Sequence, residues 1–396
     1  MLLIRSLGVG SFAFVVLFIA VGQFAGAALT GGIRMRYTRM EAERVSRGSD
    51  VPAGFGAALG GSLVVVGATG AVALLGAIIL HVGDSTSHTT IFLLLATAFT
   101  AGYSVIEFVM QHHQAHLKFT RAGLLGVARG AAMLLVSALA AVGAIGSGPA
   151  VAAWMAAGLG LVAAFAALPI LQPSGSGTPQ ADRREGPLAF GPEAGWLTLY
   201  YIASSGFAYA SVFVVALLLN DEALASYGAA TRYIAIVLGP MPALLVVLRV
   251  RTSQADIVDS DALQVGMLLR WARQVGPPVF VVLGIVALLA PFGIPIVDGG
   301  RYPDSIPIFQ ALLATALFSY ATMPGPNLLM TQRRYRLLAG VYAVALAALA
   351  GAGAIAAEAS GVVAVAAVTA VVGSIELCVV AWLALNPGRR TAGATS

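Results

Sequence analysis

Residues 7–44 read LGVGSFAFVVLFIAVGQFAGAALTGGIRMRYTRMEAER. The run 11–30 contains no charged residue, and about 20 apolar residues suffice for a helix to cross a bilayer. Four arginines (Arg34, Arg36, Arg39 and Arg44) follow it, whereas only Arg5 precedes it. Cytoplasmic loops carry the excess of Lys and Arg, so this helix sends its C-terminal end to the cytoplasm. A cleaved signal peptide has the reverse layout, with its positive charges before a shorter apolar core. The stretch therefore reads as a membrane span.

The remainder of the chain extends that reading. Of 396 residues, 59% are hydrophobic and 10% charged, against about 45–50% and about 25% in a soluble domain. A soluble enzyme is excluded, and the length fits about a dozen helices with short loops. The apolar runs are continuous instead of alternating, which argues against a β-barrel. The 46 glycines and 18 prolines suit helices that pack closely and kink. Cys378 is the only cysteine, so there is no disulfide framework and no thiolate metal site.

Apolar periods predict eleven helices, at 11–30, 53–81, 90–110, 122–145, 149–171, 194–219, 226–249, 274–297, 306–330, 336–357 and 361–386. The polar stretch Gln172–Gly186, with PSGSG and then ADRREG, reads as a linker. The expected organisation is a five-helix half over 1–171, a cytoplasmic linker over 172–193, a six-helix half over 194–386 and a cytoplasmic tail over 387–396. Alternate loops carry 18 of the Lys and Arg residues on one side, with only Arg5 and Arg301 opposite. That asymmetry places the C-terminus in the cytoplasm and, with eleven crossings, the N-terminus outside.

An internal repeat accounts for the odd number. A shift of 215 residues places Ser11-Phe12 on Ser226-Tyr227, Phe18-Ile19-Ala20 on Tyr233-Ile234-Ala235, and Arg34-x-Arg36 on Arg249-x-Arg251. A shift of 217 places Ile91-Phe92 on Ile308-Phe309 and Ala122-Gly123 on Ala339-Gly340. The first helix thus matches the seventh, and the two halves are parallel six-helix repeats. The expected fold class is an all-α polytopic membrane protein of two such repeats around a central cavity, with the first helix of the N-terminal repeat missing.

Three segments carry a family resemblance. The opening stretch quoted above, NDEALASYGAATRYIAIVLGPMPALL (220–245) and GRYPDSIPIFQALLATALFSYATMPGPNLLMTQRRYRLLAG (300–340) resemble the O-antigen-type polysaccharide flippases of the multidrug/oligosaccharidyl-lipid/polysaccharide transporter superfamily. The resemblance implies alternating access and a polyprenyl-pyrophosphate-linked oligosaccharide as substrate, taken against an arginine-lined cavity. It implies membrane lipids as surroundings and polysaccharide polymerases or glycosyltransferases as partners.

Ionisable residues inside spans are costly and mark candidate sites. Arg232, on the Tyr-x-x-Ala-x-Arg pattern of the resemblance, Arg129 and Arg36 are the candidate substrate-binding cations, because a guanidinium fork suits phosphate oxygens. Snorkelling to the interface is the alternative for Arg232 and Arg129, as are bonding a neighbouring helix's carbonyls for Arg232 and structural pairing for Arg129, and a topology-setting role is the alternative for the basic segment holding Arg36. Glu376 and Glu107 are the candidate coupling residues, with hydrogen-bonded packing as the alternative. His112, His113 and His116 fall in a predicted cytoplasmic loop with no carboxylate or thiolate to complete a site, so no metal is expected. Pro240, Pro242, Pro277, Pro278, Pro324 and Pro326 predict kinks.

No P-loop, Gly-x-Ser-x-Gly or His-Glu-x-x-His motif occurs. The expectation is a transporter in the cytoplasmic membrane, with no catalytic residues, no cofactor and no nucleic-acid partner. The alternatives are a drug/cation antiporter of the same superfamily, a membrane-embedded polysaccharide polymerase or ligase, and an inactive truncated homologue.

Overall fold

The computed structural model describes residues 2–46, 54–80, 86–171, 192–241, 261–332 and 334–386. These residues form twelve helices and no strand: α1 (Leu2–Ser6), α2 (Val9–Ser46), α3 (Phe55–Leu80), α4 (Thr86–Ala115), α5 (Phe119–Ala141), α6 (Gly148–Leu171), α7 (Pro192–Leu218), α8 (Asp221–Leu238), α9 (Asp261–Asp298), α10 (Ser305–Thr322), α11 (Pro324–Thr331) and α12 (Tyr335–Leu385). Nine of the described helices are long and apolar enough to cross a membrane.

Eleven spans were expected, and two features account for the difference. First, the described part of α8 ends at Leu238, and residues 242–249 of the predicted helix lie outside the described residues. Second, the two predicted helices 336–357 and 361–386 are continuous in α12 except at Gly361, whose φ of 75° and ψ of −160° are non-helical. Only glycine takes that conformation without steric cost. The predicted linker also lies outside the described residues, apart from the first residues of α7.

Helix ends differ from expectation in an informative way. The apolar run 11–30 is embedded in the 38-residue α2, about 57 Å long at 1.5 Å per residue. The segment RMRYTRMEAER, expected as a loop, continues that helix, because Arg, Met and Glu are good helix formers and Arg34, Tyr37 and Glu41 are buried. The histidine segment, also expected in a loop, is the end of α4, which reaches Ala115. Helix α8 begins five residues before the predicted position 226, where the Asn220 side chain accepts a hydrogen bond of 2.9 Å from the Ala223 N–H. Asp221 and Glu222 then sit in its first turn, where the helix dipole favours negative charge. The predicted helix 306–330 breaks at Met323, with Pro324 opening α11 because proline cannot continue the hydrogen-bond ladder of the preceding turn.

By internal contacts the chain divides into two compact units, Leu2–Tyr209 and Ala210–Ser396. In the first, α4 packs against α2, α3, α5 and α6. Its contact with α2 is an aromatic ladder in which Phe14 meets Phe92 edge-to-face at 5.3 Å and Phe18 meets Phe99 at 5.0 Å. Against α6 the approach is close enough that a Cβ on Gly102 would lie 3.1 Å from the backbone of Leu159 and Gly160.

In the second unit, α10 packs on α12, α9 and α8. Tyr227, 1% exposed, shares side-chain hydrogen bonds with Ser211 and Thr369, which ties α8 to the end of α7 and to α12. Four prolines (Pro277, Pro278, Pro291 and Pro295) lie inside α9. The turn from α9 to α10 is closed by Asp298, 1% exposed, which accepts the Gly300 N–H at 2.8 Å.

Both units wear apolar side chains outward. In the first unit Val142 is 77% exposed and Val64 70%, and in the second Leu217 is 82% exposed and Leu288 75%. Surface of this kind is what hydrocarbon solvates.

Candidate functional site

Helices α2 and α4 face each other with polar residues at helical spacing. Thr30, Arg34 and Thr38 follow one another at four-residue steps on α2, and Tyr103, Glu107 and Gln111 do so on α4, so each set forms a stripe on one helix face. The two stripes meet: the Thr38 hydroxyl donates to Gln111 Oε1 at 3.0 Å, and Arg34 Nη1 lies 3.8 Å from Glu107 Oε2. From α5, Arg129 Nη1 donates to Glu107 Oε1 at 2.5 Å. The same guanidinium stands 5.4 Å from the centre of the Tyr103 ring, within cation–π range.

Two guanidinium groups thus share one carboxylate, leaving the cluster net positive. Arg34 is 6% exposed, and its buried Nε and Nη1 make no hydrogen bond among the described residues. The opposite edge of the cluster is reachable, since the Arg129 side chain is 31% exposed and that of Glu107 19%. A forked cation with unmet donors beside a second, accessible arginine matches the geometry by which proteins take up phosphate or carboxylate oxygens. Further along, Tyr209 donates to Gln23 Oε1 at 2.8 Å, which extends the polar stripe.

The structure joins two of the sequence-derived candidates, Arg129 and Glu107, as one ion pair. It adds Arg34, which the sequence offered only as part of the internal repeat and of the basic segment after the first apolar run, and Tyr103, which it did not single out. Arg36 is half-buried and two residues past Arg34, so about 200° round the helix from the stripe. Arg232 is half-buried on α8 in the second unit. Its neighbour Tyr233 reaches Asp298 Oδ2 at 3.4 Å and meets the Phe309 ring edge-on.

Glu376 lies in the second half of α12 and is 4% exposed. One side-chain hydrogen bond links it to Tyr342, and its Oε1 has no hydrogen-bond partner among the described residues. A buried carboxyl with an unmet oxygen can hold a proton or accept a small cation.

The histidine cluster also differs from expectation, because the carboxylate that the sequence did not supply comes from α2. Glu41 Oε1 stands 2.8 Å from His116 Nε2, and Tyr37, one turn earlier, is bonded to His112 Nδ1 at 2.7 Å.

No protein-family model matches the chain, and no curated protein does. Solved structures do match. One is an outward-facing multidrug resistance MATE family transporter of the MOP superfamily, at 14% identity over 96% of this chain and 88% of that one, TM-score 0.61. Another is a MOP superfamily transporter from Pyrococcus furiosus Vc1 with a binding pocket of reverse polarity, at 13% identity over 95% and 86%, TM-score 0.59. A third is the lipid II flippase MurJ in an inward closed conformation, at 12% identity over 96% and 83%, TM-score 0.59. At these identities the likeness is one of fold. The chain is a multi-pass membrane protein whose described residues form helices and no strand, in the fold that these MOP-superfamily transporters share.

Proposed function

We propose that the protein is a membrane transporter that flips an anionic, lipid-linked saccharide, of the polyprenyl-pyrophosphate-linked oligosaccharide type, across the cytoplasmic membrane by alternating access. The observation that carries this reading is the Arg34–Glu107–Arg129 cluster, with its excess positive charge and the unmet donors of Arg34. A pyrophosphate head would engage the two arginines while its tail stays in hydrocarbon, which spares the head most of the cost of crossing lipid unpaired. Arg36 in the first unit and Arg232 in the second are further candidate cations for such a head. The basic end of α2 lies on the cytoplasmic side in this reading, as does the C-terminus. Polymerases or glycosyltransferases of the same polysaccharide route would supply the substrate or consume the product.

A drug/cation antiporter is the second reading, and the observation that favours it is Glu376, a carboxyl buried in a span with one oxygen unmet. Reconstituted vesicles separate the two. A fluorescent polyprenyl-pyrophosphate sugar should become accessible to a membrane-impermeant quencher faster with wild-type protein than in protein-free vesicles, and Arg34→Ala with Arg129→Ala should abolish the gain. Proton- or sodium-driven uptake of a cationic dye without lipid flipping would overturn the flippase reading in favour of the antiporter.

A further inference from the structure

The arginine-rich end of α2 rests on the end of α4 through a group of side chains that transport does not use. Glu41, His112 and His116 each offer one ligand atom, and these atoms all lie within 4.8 Å of one another. His112 lies in the last turn of α4 and His116 just past its end, where the His116 N–H still donates to the His112 carbonyl at 3.2 Å, and their rings stand 4.6 Å apart. Glu41 reaches them from the neighbouring helix, its oxygen 2.8 Å from His116 Nε2.

We propose that Glu41, His112 and His116 form a binding site for a divalent transition-metal ion of the zinc class, which clamps the basic end of α2 to α4. The donor set is two imidazoles and one carboxylate, the three-ligand combination that zinc accepts with a fourth position left for water. Metal–ligand distances of about 2.0–2.2 Å place tetrahedral ligand atoms about 3.3 Å apart. The group meets that spacing if the Glu41–His116 pair opens by about 0.5 Å and the His112 ring turns inward.

The surroundings fit the role of an outer shell. Tyr37 lies 2.7 Å from His112 Nδ1. With Nδ1–H donating to the phenol oxygen, Nε2 carries the lone pair that a metal requires, and the ring is held in place. Phe55 and Phe108 close the other sides: the Phe55 ring is 5.1 Å from that of His112, and the Phe108 ring 4.9 Å from that of Tyr37. Glu41 is 1% exposed and His112 8%, while the His116 side chain, 22% exposed, provides the entry. Calcium and magnesium call for several oxygen ligands, and this site offers one carboxylate. Imidazole nitrogen therefore selects the class of ion.

The test uses the full chain in detergent, without a histidine tag and stripped by a chelator. Calorimetric titration with Zn2+ is expected to show one ion per chain, with no heat from Mg2+ or Ca2+. His112→Gln, His116→Gln and Glu41→Gln should each weaken binding at least about tenfold, and Tyr37→Phe, which touches only the outer shell, should weaken it about tenfold. Co2+ should give the visible absorption of a tetrahedral centre in the wild type and lose it in His116→Gln, whose partly exposed position keeps the fold intact. Absence of stoichiometric Zn2+ binding in the wild type would overturn the site. So would equal uptake by a His112→Gln/His116→Gln double variant, which would mean adventitious binding elsewhere.

Discussion

Two carboxylates inside the spans, Glu107 and Glu376, occupy opposite electrostatic settings. Glu107 is held between Arg34 and Arg129 with the Tyr103 ring beside it, so its negative charge is more than neutralised. Glu376 has a tyrosine hydroxyl on one oxygen and, among the described residues, no hydrogen-bond partner on the other. The first unit therefore concentrates cations around one acid, and the second buries one acid with no charged partner among the described residues. On the proposed transport reading, the first would take the anionic head and the second a proton or small cation that couples transport to an ion gradient.

The comparison is broken most severely by removing the acid that the arginines share. Glu107→Ala leaves two guanidinium groups inside the helix bundle with no carboxylate, and stripping one partner from a buried pair costs about 3–5 kcal/mol. Because the Glu107 side chain is 19% exposed, we expect the lower end of that range, read as lost thermal stability in detergent. Glu107→Gln should recover part of it through retained hydrogen bonding. If Glu107→Ala melts with the wild type, the cluster is solvated and the electrostatic contrast fails.

A smaller effect is expected at the break in α12. Gly361 holds φ 75° and ψ −160°, a region in which a residue with a Cβ costs about 1–3 kcal/mol. Gly361→Ala should therefore destabilise the second unit by that amount or straighten the helix. Straightening would change the register between Tyr342, on one side of the break, and Glu376, on the other. An unchanged melting temperature together with unchanged transport would show that the break is not required for the Glu376 setting.

Much of this was legible in the sequence, and the losses share one physical cause. Apolar runs located every described span, and the cost of intramembrane charge singled out Arg129, Glu107 and Glu376. Hydropathy, however, ends a helix at its first charges. It cut the first helix at residue 30, and so turned Arg34, Tyr37 and Glu41 into loop residues. A helix continues past its apolar run when neighbours satisfy its polar groups, and here Glu107 and His112 of α4 and His116 just after it do so. The pairing of Arg129 with Glu107 was within reach, because both lie near the same ends of consecutive helices joined by a short turn. The contribution of α2 was not, because no local spacing links residue 34 to residue 107.

The smallest structural change sharpens the comparison most. Glu376→Gln keeps the shape of the side chain and its bond to Tyr342 while removing the capacity to ionise, so the loss of stability should stay below about 1 kcal/mol. Its functional effect should be selective. On the proposed transport reading, flipping by wild-type protein should speed up under an imposed proton or sodium gradient, and Glu376→Gln should flip at the ungradiented rate whatever the gradient. Tyr342→Phe should fall between the two, because it leaves the carboxyl in place with a second unmet oxygen. If Glu376→Gln responds to the gradient as the wild type does, the lone carboxyl of the second unit is a packing residue. Coupling would then have to be sought at Glu107, the acid already held by two arginines.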